Sequence, residues 1–459
     1  MTGKPANGKN GWINKNNSLT RLNLWIYPAK IRLQVIESRN QSSGNALVKK
    51  YICRALKSRN FQLSMTPPRF LLLALAAIQF TNIIDFMIMM PLGKQIMHIF
   101  RIDPSQFGVV VASYTLAAWV SGMVAALFLD RFDRKKTLLF TYTGFIIGTF
   151  FCAFAPSYEL LVGSRILTGL FGGILGAQVM AIVADFYPYE KRGKAMGVIM
   201  ASFSAGAALG VPIGIYIARH FTWQAPFIAV AITGTVILFA SIYILPSMRS
   251  HLVKPADRSA MFSLYKSAFT VSSQRNALLM MIVLMLGHFM VVPNVATHLQ
   301  FNLNFSENEL TLVYLFGGIV SFFSNPFVGK LSDQIGKEKM FTIMVLLAAV
   351  PVLLITQITN AGVPLMLCIT TLFFAFSGGR FSPAQALVSE AVPPNLRGSF
   401  MSFVSAMQQL GAGLGALIAG YLMWTTADGR LEGIGTVGII AVLTGFGSLL
   451  FVNRIRSGC

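Results

Sequence analysis

Two similar stretches, ALFLDRFDRKK at residues 126–136 and GKLSDQIGKEK at residues 329–339, decide the fold of this 459-residue chain. Each stretch follows an apolar segment and becomes strongly charged within a few residues. The aspartates Asp130 and Asp333 occupy the same place in the two stretches and are 203 residues apart. Such a recurrence over half of the chain indicates an internal repeat.

Two further pairs of segments recur with nearly the same offset. Both are 205 residues apart: PYEKRG (188–193) with PPNLRG (393–398), and Gly206 and Gly210 with Gly411 and Gly415. Three matches at an almost constant distance predict two homologous halves. A charged segment, residues 247–275, joins them.

The segments between these motifs are apolar enough to lie in lipid. The chain is 54% hydrophobic and only 12% charged, with a mean hydropathy of +0.64, whereas soluble domains are about 25% charged. A helix needs about 20 apolar residues to cross the hydrocarbon core. Twelve stretches qualify: 71–92, 107–129, 137–156, 160–184, 195–218, 225–246, 276–298, 309–330, 340–358, 363–387, 399–424 and 433–453. They predict an all-α integral membrane protein built from two pseudo-symmetric six-helix bundles.

The expected organisation has five parts. A basic, polar and disordered extension (1–68) precedes the first bundle (69–246), the cytoplasmic linker (247–275), the second bundle (276–453) and a cytoplasmic tail (454–459). The first 64 residues lack the apolar core of a signal peptide. Met65 directly precedes the first span, so it is the preferred natural start, and an organelle transit peptide is the alternative.

The formal net charge of +21 would suit a nucleic-acid-binding protein, but its distribution argues against that function. Outside the extension, nineteen Lys and Arg fall on one side of the predicted topology and four on the other. This bias is the positive-inside pattern of membrane proteins, and it predicts that both termini are cytoplasmic. We therefore expect a multi-pass protein of a bacterial inner membrane with no nucleic-acid partner.

Charged residues within the spans are candidates for function, because they are costly in lipid. Asp85 lies well inside the first span, and Arg165 and Arg380 lie inside the fourth and tenth. At a rise of 1.5 Å per residue, Asp85 and Arg165 are at matching depth. We expect them to interact, either as part of a proton-coupling site or as a purely structural ion pair.

His288 stands at the position of the seventh span that corresponds to Asp85 in the first. Asp85-Phe-Met aligns with His288-Phe-Met at the motif offset of 203, which predicts that the two face each other across a cavity. Both side chains can change charge, as a proton-coupled carrier requires. A neutral, hydrogen-bonded histidine is the alternative. Arg380 either contacts a polar or anionic substrate group or closes an inner gate.

A face of small residues marks the fifth span. Gly206, Gly210 and Gly214 recur every four residues and predict close approach of another helix. Pro212 weakens the backbone ladder there and permits a bend. Ordinary tight packing and a role in gating both fit this pattern.

These residues resemble the major facilitator superfamily, over roughly residues 69–453. The Asp-Arg-x-x-Arg-Lys signature between spans two and three carries the resemblance, although Ala126 and Asp133 replace two of its usual glycines. Within the family, the glycines of span five make the chain most similar to twelve-span drug:proton antiporters and sugar-efflux permeases. The resemblance implies a cytoplasmic gate formed by Asp130, Arg131, Arg134, Lys135, Asp333 and Lys337.

The expected function is secondary transport of a small molecule. No catalytic, nucleotide-binding or dinucleotide fingerprint is present in the sequence, nor a selectivity filter or charged ring typical of a channel. Proton-coupled efflux, driven by the proton gradient without a cofactor, is the preferred reading. Uptake by symport, facilitation and a non-transporting sensor stay open, as do the substrate and the oligomeric state.

Overall fold

The computed structural model describes residues 20–26, 31–37, 68–128, 132–187, 189–248, 266–393 and 397–456. The chain divides into two compact units, Met1–Met65 and Thr66–Cys459. In the first unit, strands β1 (Thr20–Ile26) and β2 (Ile31–Glu37) form an antiparallel hairpin. The rest of residues 1–67 lies outside the described residues, and the disordered extension over residues 1–68 stays a prediction.

The second unit is helical and contains twelve helical segments long and apolar enough to cross a membrane among the residues that the structure describes. The predicted all-α, twelve-span architecture is therefore confirmed. The helices of the first half are α1 (Pro68–Ile88), α2 (Gly93–Phe100), α3 (Pro104–Phe128), α4 (Arg134–Ala153), α5 (Tyr158–Phe186), α6 (Tyr189–Ala205), α7 (Val211–His220) and α8 (Ala225–Ile244). Those of the second half are α9 (Ser272–Asn302), α10 (Glu307–Ile335), α11 (Lys337–Gln357), α12 (Val363–Gly379), α13 (Phe381–Glu390), α14 (Arg397–Leu422) and α15 (Ile434–Arg456).

Spans five and ten are each built from two helices. A π-helical turn, Gly206–Gly210, lies between α6 and α7 in span five. Span ten is interrupted at Arg380, which lies between α12 and α13. π-Helical turns inside α-helices are frequent at functional sites.

Two short strands, β3 (Trp424–Thr425) and β4 (Leu431–Glu432), pair between the last two spans.

The two halves meet along antiparallel helices whose contacting faces are lined with small residues. On α3, a Cβ added at Gly108 would lie 2.8 Å from the Ala416 carbonyl oxygen of α14, and one added at Gly122 would lie 3.4 Å from the Ala406 Cβ. A Cβ at Gly318 of α10 would collide with the Ala208 backbone in the π-helical turn. Small residues let the two helix backbones approach closely. In lipid, the van der Waals packing of such helices takes the place of the hydrophobic effect as the source of their association.

The glycine face of span five packs against α1, beside Asp85. A Cβ at Gly206 would lie 2.8 Å from Ile83 Cγ2, while Cβ atoms at Gly210 and Gly214 would collide with Ile84 and Ile88. Pro212 lies just after the π-helical turn, and its missing N–H removes one backbone hydrogen bond from the span at this point. The structure thus brings the predicted face of small residues against a helix, and any role in gating stays a prediction.

The two repeated motifs begin their third helices differently. Asp133 caps α4, accepting hydrogen bonds from the Lys135 amide at 2.9 Å and from the Met248 amide at 3.3 Å. Its counterpart Gly336 precedes α11 with φ of 95°, a conformation that favours glycine. The replacement of a family glycine by Asp133 therefore substitutes a side-chain cap for a left-handed turn.

Polar contacts join the halves at the end of the bundle where residues 89–103 connect α1 to α3, which we name the far end. Lys94 Nζ donates to the Gln300 carbonyl oxygen at 3.1 Å, and Gln95 Nε2 donates to Glu307 Oε1 at 2.5 Å. Arg219 hydrogen-bonds Asn308. A cavity of about 1280 Å³ lies beside these contacts.

We name the opposite end of the bundle, where Gly336 separates α10 from α11, the basic end.

Candidate functional site

A fully buried ion pair lies inside the first half. Arg165 Nη1 of α5 lies 2.8 Å from Asp85 Oδ2 of α1, and both residues have 0% exposed surface. Thr149 Oγ1 of α4 donates to the other carboxylate oxygen at 3.0 Å. The structure therefore brings together the two residues that the depth estimate placed at the same height.

An aromatic ring and a carboxamide complete this site. The Arg165 guanidinium lies 4.6 Å from the Tyr114 ring centroid, within cation–π distance. Tyr114 donates its hydroxyl hydrogen to Asn82 Oδ1 at 2.7 Å, and Asn82 Nδ2 donates to the Gly172 carbonyl oxygen at 3.3 Å. Arg165 Nε has no hydrogen-bond partner among the described residues. The Asp85 carboxylate and the Tyr114 ring thus hold the guanidinium.

Close packing explains why the glycines of span four stand where they do. Cβ atoms at Gly169 and Gly172 would collide with the backbone and the hydroxyl of Tyr114. These glycines let α3 approach α5 until the Tyr114 ring reaches Arg165. Tyr114, Asn82 and Thr149 were not predicted from the sequence, because a lone polar residue in an apolar span does not reveal its partner.

The second half contains a different arrangement at the corresponding position. His288 of α9 lies opposite Arg380, with 3.4 Å between His288 Nδ1 and Arg380 Nη2. Arg380 Nε donates to the Ser377 carbonyl oxygen at 3.3 Å, and the residue is only 6% exposed. The rings of Phe289, Phe373 and Phe381 surround the imidazole, with centroids 5.1 to 6.3 Å away. Sequence reasoning named His288 and Arg380 without predicting their contact.

An aromatic contact connects these two arrangements across the interface between the halves. Phe86, next to Asp85, lies 5.8 Å from Phe289, next to His288. Phe86 also lies 5.0 Å from the Tyr114 ring that supports Arg165. The equivalent residues of the repeat therefore meet at the interface through their neighbouring phenylalanines, and the polar groups stay within their own halves.

The described gate residues form ion pairs within each half at the basic end. Arg134 Nε lies 3.1 Å from Asp185 Oδ2, and Lys337 Nζ lies 2.5 Å from Glu390 Oε1. These two pairs are related by the repeat, with offsets of 203 and 205 residues. Lys135 Nζ donates to the Ile242 carbonyl oxygen at 2.6 Å.

Three members of the predicted gate remain without a described partner or position. Asp333 is exposed. Asp130 and Arg131 lie outside the described residues, so their gate role stays a prediction. The described pairs fasten α4 to α5 and α11 to α13, which makes them supports of each half at the basic end.

Among the residues that the structure describes, no group of three or more His, Cys, Asp and Glu side chains could hold a metal ion. The ionisable groups that the structure describes inside the spans include the carboxylate of Asp85, the guanidinium groups of Arg165 and Arg380, and the imidazole of His288.

Comparison with known proteins identifies the family. The model of the Major Facilitator Superfamily matches residues 75–276 and residues 277–457. An uncharacterized MFS-type transporter of Bacillus subtilis (strain 168), YceJ, is 24% identical over 371 residues, 80% of this chain and 90% of YceJ. A vacuolar membrane amino acid uptake transporter of Schizosaccharomyces pombe (strain 972 / ATCC 24843), fnx2, is 35% identical, but over only 28% of this chain and 23% of its own.

Solved structures give the same fold. A D-xylose-proton symporter superposes with a TM-score of 0.70 at 18% identity, over 84% of this chain and 98% of its own. A bacterial homolog of the human lysosomal transporter Spinster, in an inward-facing and occupied conformation, superposes with a TM-score of 0.68 at 14% identity, over 85% and 97%. Family match, twelve spans and fold agree: the chain is a multi-pass membrane transporter that belongs to the major facilitator superfamily.

Proposed function

We propose that this transporter exports a small organic solute in exchange for protons, with Asp85 as the proton-carrying group. The observation that supports the proposal is the fully buried Asp85–Arg165 pair inside spans one and four. An ionisable residue in this position is rare and costly in lipid, and in transporters such residues mark ion pathways. The proton gradient is the proposed energy source, and the solute is the only other partner that the mechanism needs besides the bilayer.

Protonation of Asp85 provides a two-state element. In the described state, the carboxylate is satisfied by Arg165 and Thr149. A proton on Asp85 removes the charge that holds Arg165, which then keeps only the Tyr114 ring. The guanidinium is thereby released toward water or substrate, and α1 and α5 lose their strongest connection. Protonation therefore changes the relative stability of two conformations, which is what coupling requires.

Alternating access supplies the second half of the mechanism. The contacts of Lys94, Gln95 and Arg219 hold the far end together in this structure. We place the basic end in the cytoplasm by the positive-inside bias. In this orientation, the described state is closed toward the outside. The π-helical turn at Gly206–Gly210, packed on α1 beside Asp85, is the proposed point at which span five bends.

Proton-coupled uptake is the second candidate. The similarity to a D-xylose-proton symporter supports it, because the same buried carboxylate serves both directions of proton coupling. Facilitated diffusion and sensing without transport use the same fold without requiring a proton on Asp85.

Proteoliposomes with an imposed pH gradient test the proposal. Solute-dependent proton flux is measured with ethidium, D-xylose and glucuronate as probes, for the wild type and for Asp85→Asn. We expect the wild type to couple proton movement to at least one probe, and the variant to lose that coupling by tenfold or more, an estimate that corresponds to about 1.4 kcal/mol. Asp428→Asn, which alters an exposed carboxylate, serves as the matched control and should retain wild-type coupling.

The outcomes separate the candidates. Probe efflux driven by an inward proton gradient supports antiport, whereas accumulation with protons indicates symport. Probe movement without proton flux in both proteins would make the chain a facilitator and Asp85 a structural charge. Equal coupling in Asp85→Asn and the wild type would remove Asp85 from the mechanism.

A further inference from the structure

Arg380 is a buried positive charge without a negative partner. Its side chain contacts the Ser377 carbonyl oxygen and His288 Nδ1, and it is 6% exposed. Among the described residues, no carboxylate lies within ion-pair distance of it. Arg165, the other arginine inside a span, is paired with Asp85. An uncompensated charge in a protein interior is strongly unfavourable, so its presence calls for a ligand that balances it.

The contact with His288 shows how the guanidinium is held. Arginine only donates hydrogen bonds, so the facing Nδ1 of His288 is an acceptor, and the imidazole is neutral with its proton on Nε2. A neutral acceptor fixes the direction of the guanidinium without cancelling its charge. Phe373 and Phe381 lie against the imidazole ring and limit its movement. His288 is therefore a positioning residue for Arg380.

Two further buried hydrogen-bond donors, one from each half, have no described hydrogen-bond partner. Trp119 Nε1 of α3 and Gln408 Nε2 of α14 are buried without a hydrogen-bond partner among the described residues. They lie at similar depth, because α3 and α14 pack antiparallel, with Gly413 against Thr115 and Gly122 against Ala406. Trp119 and Phe381, the neighbour of Arg380, pack against the same cluster of buried residues. Buried donors of this kind normally have an acceptor.

We propose that Arg380 binds an acidic group of the transported solute, a carboxylate or a phosphate, while Trp119 and Gln408 donate hydrogen bonds to its oxygen atoms. The proposal rests on the transport function proposed above and assigns the substrate class: an organic anion held between the halves. The planar guanidinium matches the geometry of both acidic groups. Donors from both halves would let the bound solute connect them, as alternating access requires.

The first test measures thermal unfolding of the full chain in phosphatidylcholine nanodiscs, which contain no anionic lipid. Matched pairs of probes differ only in acidity: glucuronate and glucose, benzoate and benzamide, glycerol 3-phosphate and glycerol. We expect at least one acidic probe to raise the unfolding midpoint of the wild type by about 2 °C or more, the order expected for a ligand well above its Kd. Its neutral partner should have no effect. Arg380→Gln should abolish the shift, and Asp85→Asn should keep it.

A second measurement needs no ligand. Arg380→Gln removes an unpaired charge, so the ligand-free variant should unfold at the wild-type temperature or above it. Arg165→Gln strands the Asp85 carboxylate and should unfold well below it. A large drop for Arg380→Gln, similar to that for Arg165→Gln, would make Arg380 structural and overturn the proposal. Absence of an acid-specific shift across all three pairs would also overturn it.

Two further arms separate this proposal from its alternatives. Nanodiscs containing phosphatidylglycerol should not raise the unfolding midpoint in an Arg380-dependent manner, and a shift of that kind would assign Arg380 to a lipid headgroup instead. If Asp85→Asn keeps both anion binding and proton coupling, proton exchange at Asp85 is contradicted and the anion site is not. If the wild type binds no acidic probe but shows proton coupling that depends on Asp85, the anion site is contradicted and proton exchange at Asp85 is not.

Discussion

The two halves of this transporter differ most at positions that the repeat makes equivalent. In the first half, Asp85 forms a buried ion pair with Arg165. In the second half, the equivalent residue is His288, which accepts a hydrogen bond from Arg380 and leaves its charge uncompensated. The two arginines are not equivalent: residues 205 positions away from Arg165 and Arg380 are Thr370 and Leu175. The repeat thus makes Asp85 and His288 equivalent, whereas the arginine that contacts each of them lies at a different position in each half.

Under the two proposals made above, this difference is a division of labour. The guanidinium of Arg165 favours the charged form of Asp85, so that a proton on Asp85 opens the pair, which suits proton exchange. A cation held by a neutral imidazole is stabilised only when a ligand arrives, which suits substrate binding. Phe86 and Phe289 touch between the two sites, so a movement of one half at this level displaces a residue adjacent to the other site.

The largest expected effect comes from breaking the compensated pair. Arg165→Gln leaves the Asp85 carboxylate buried and unpaired, at a cost of about 3–5 kcal/mol for removal of one partner. The midpoint temperature of thermal unfolding in detergent and the yield of folded protein should both fall. The exchanged pair, Asp85→Arg with Arg165→Asp, should recover part of the loss. Arg430→Gln, on an exposed loop, is the control, and equal stability of both variants would show that the pair contributes nothing.

A smaller effect is expected from the hydroxyl that supports the pair. Thr149→Val removes the hydrogen bond to Asp85 Oδ1 while keeping side-chain shape, and should cost about 1 kcal/mol. Thr143→Val on the same helix is matched to it, because Thr143 donates only to the Leu139 carbonyl oxygen one turn earlier. The difference between their unfolding midpoints isolates the contact with Asp85. Identical midpoints would show that Thr149 does not support the carboxylate.

The smallest effects should come from the repeated ion pairs at the basic end, and they should again differ between halves. The Arg134 side chain is 10% exposed, whereas Lys337 is 31% exposed. Arg134→Gln should therefore cost roughly 0.5 kcal/mol and Lys337→Gln less than that, because solvent screens the more exposed pair. High salt should reduce both costs. A larger loss in Lys337→Gln would reverse the expected order of the two halves at this end.

Several features of the fold and the site followed from the sequence, and others did not. Span number and the internal repeat are properties of apolar length and of offset, and both can be read along the chain. The α2 helix, Gly93–Phe100, was missed because it is shorter than a span and lies in a joint. The π-helical turn was missed because glycine and proline indicate a weak backbone ladder without specifying which hydrogen bonds replace it.

The depth of a residue in the membrane is also written in the sequence, since each helical residue advances about 1.5 Å. This rise predicts the same membrane depth for Asp85 and Arg165, which are in contact in the structure. The rotation of each helix about its own axis is not written there, because packing against neighbours sets it. Sequence alone therefore determined twelve spans, two halves and which charges lie within them. Only the tertiary structure decided that Arg165 meets a carboxylate and Arg380 an imidazole, because the direction of a side chain depends on how the helices around it pack.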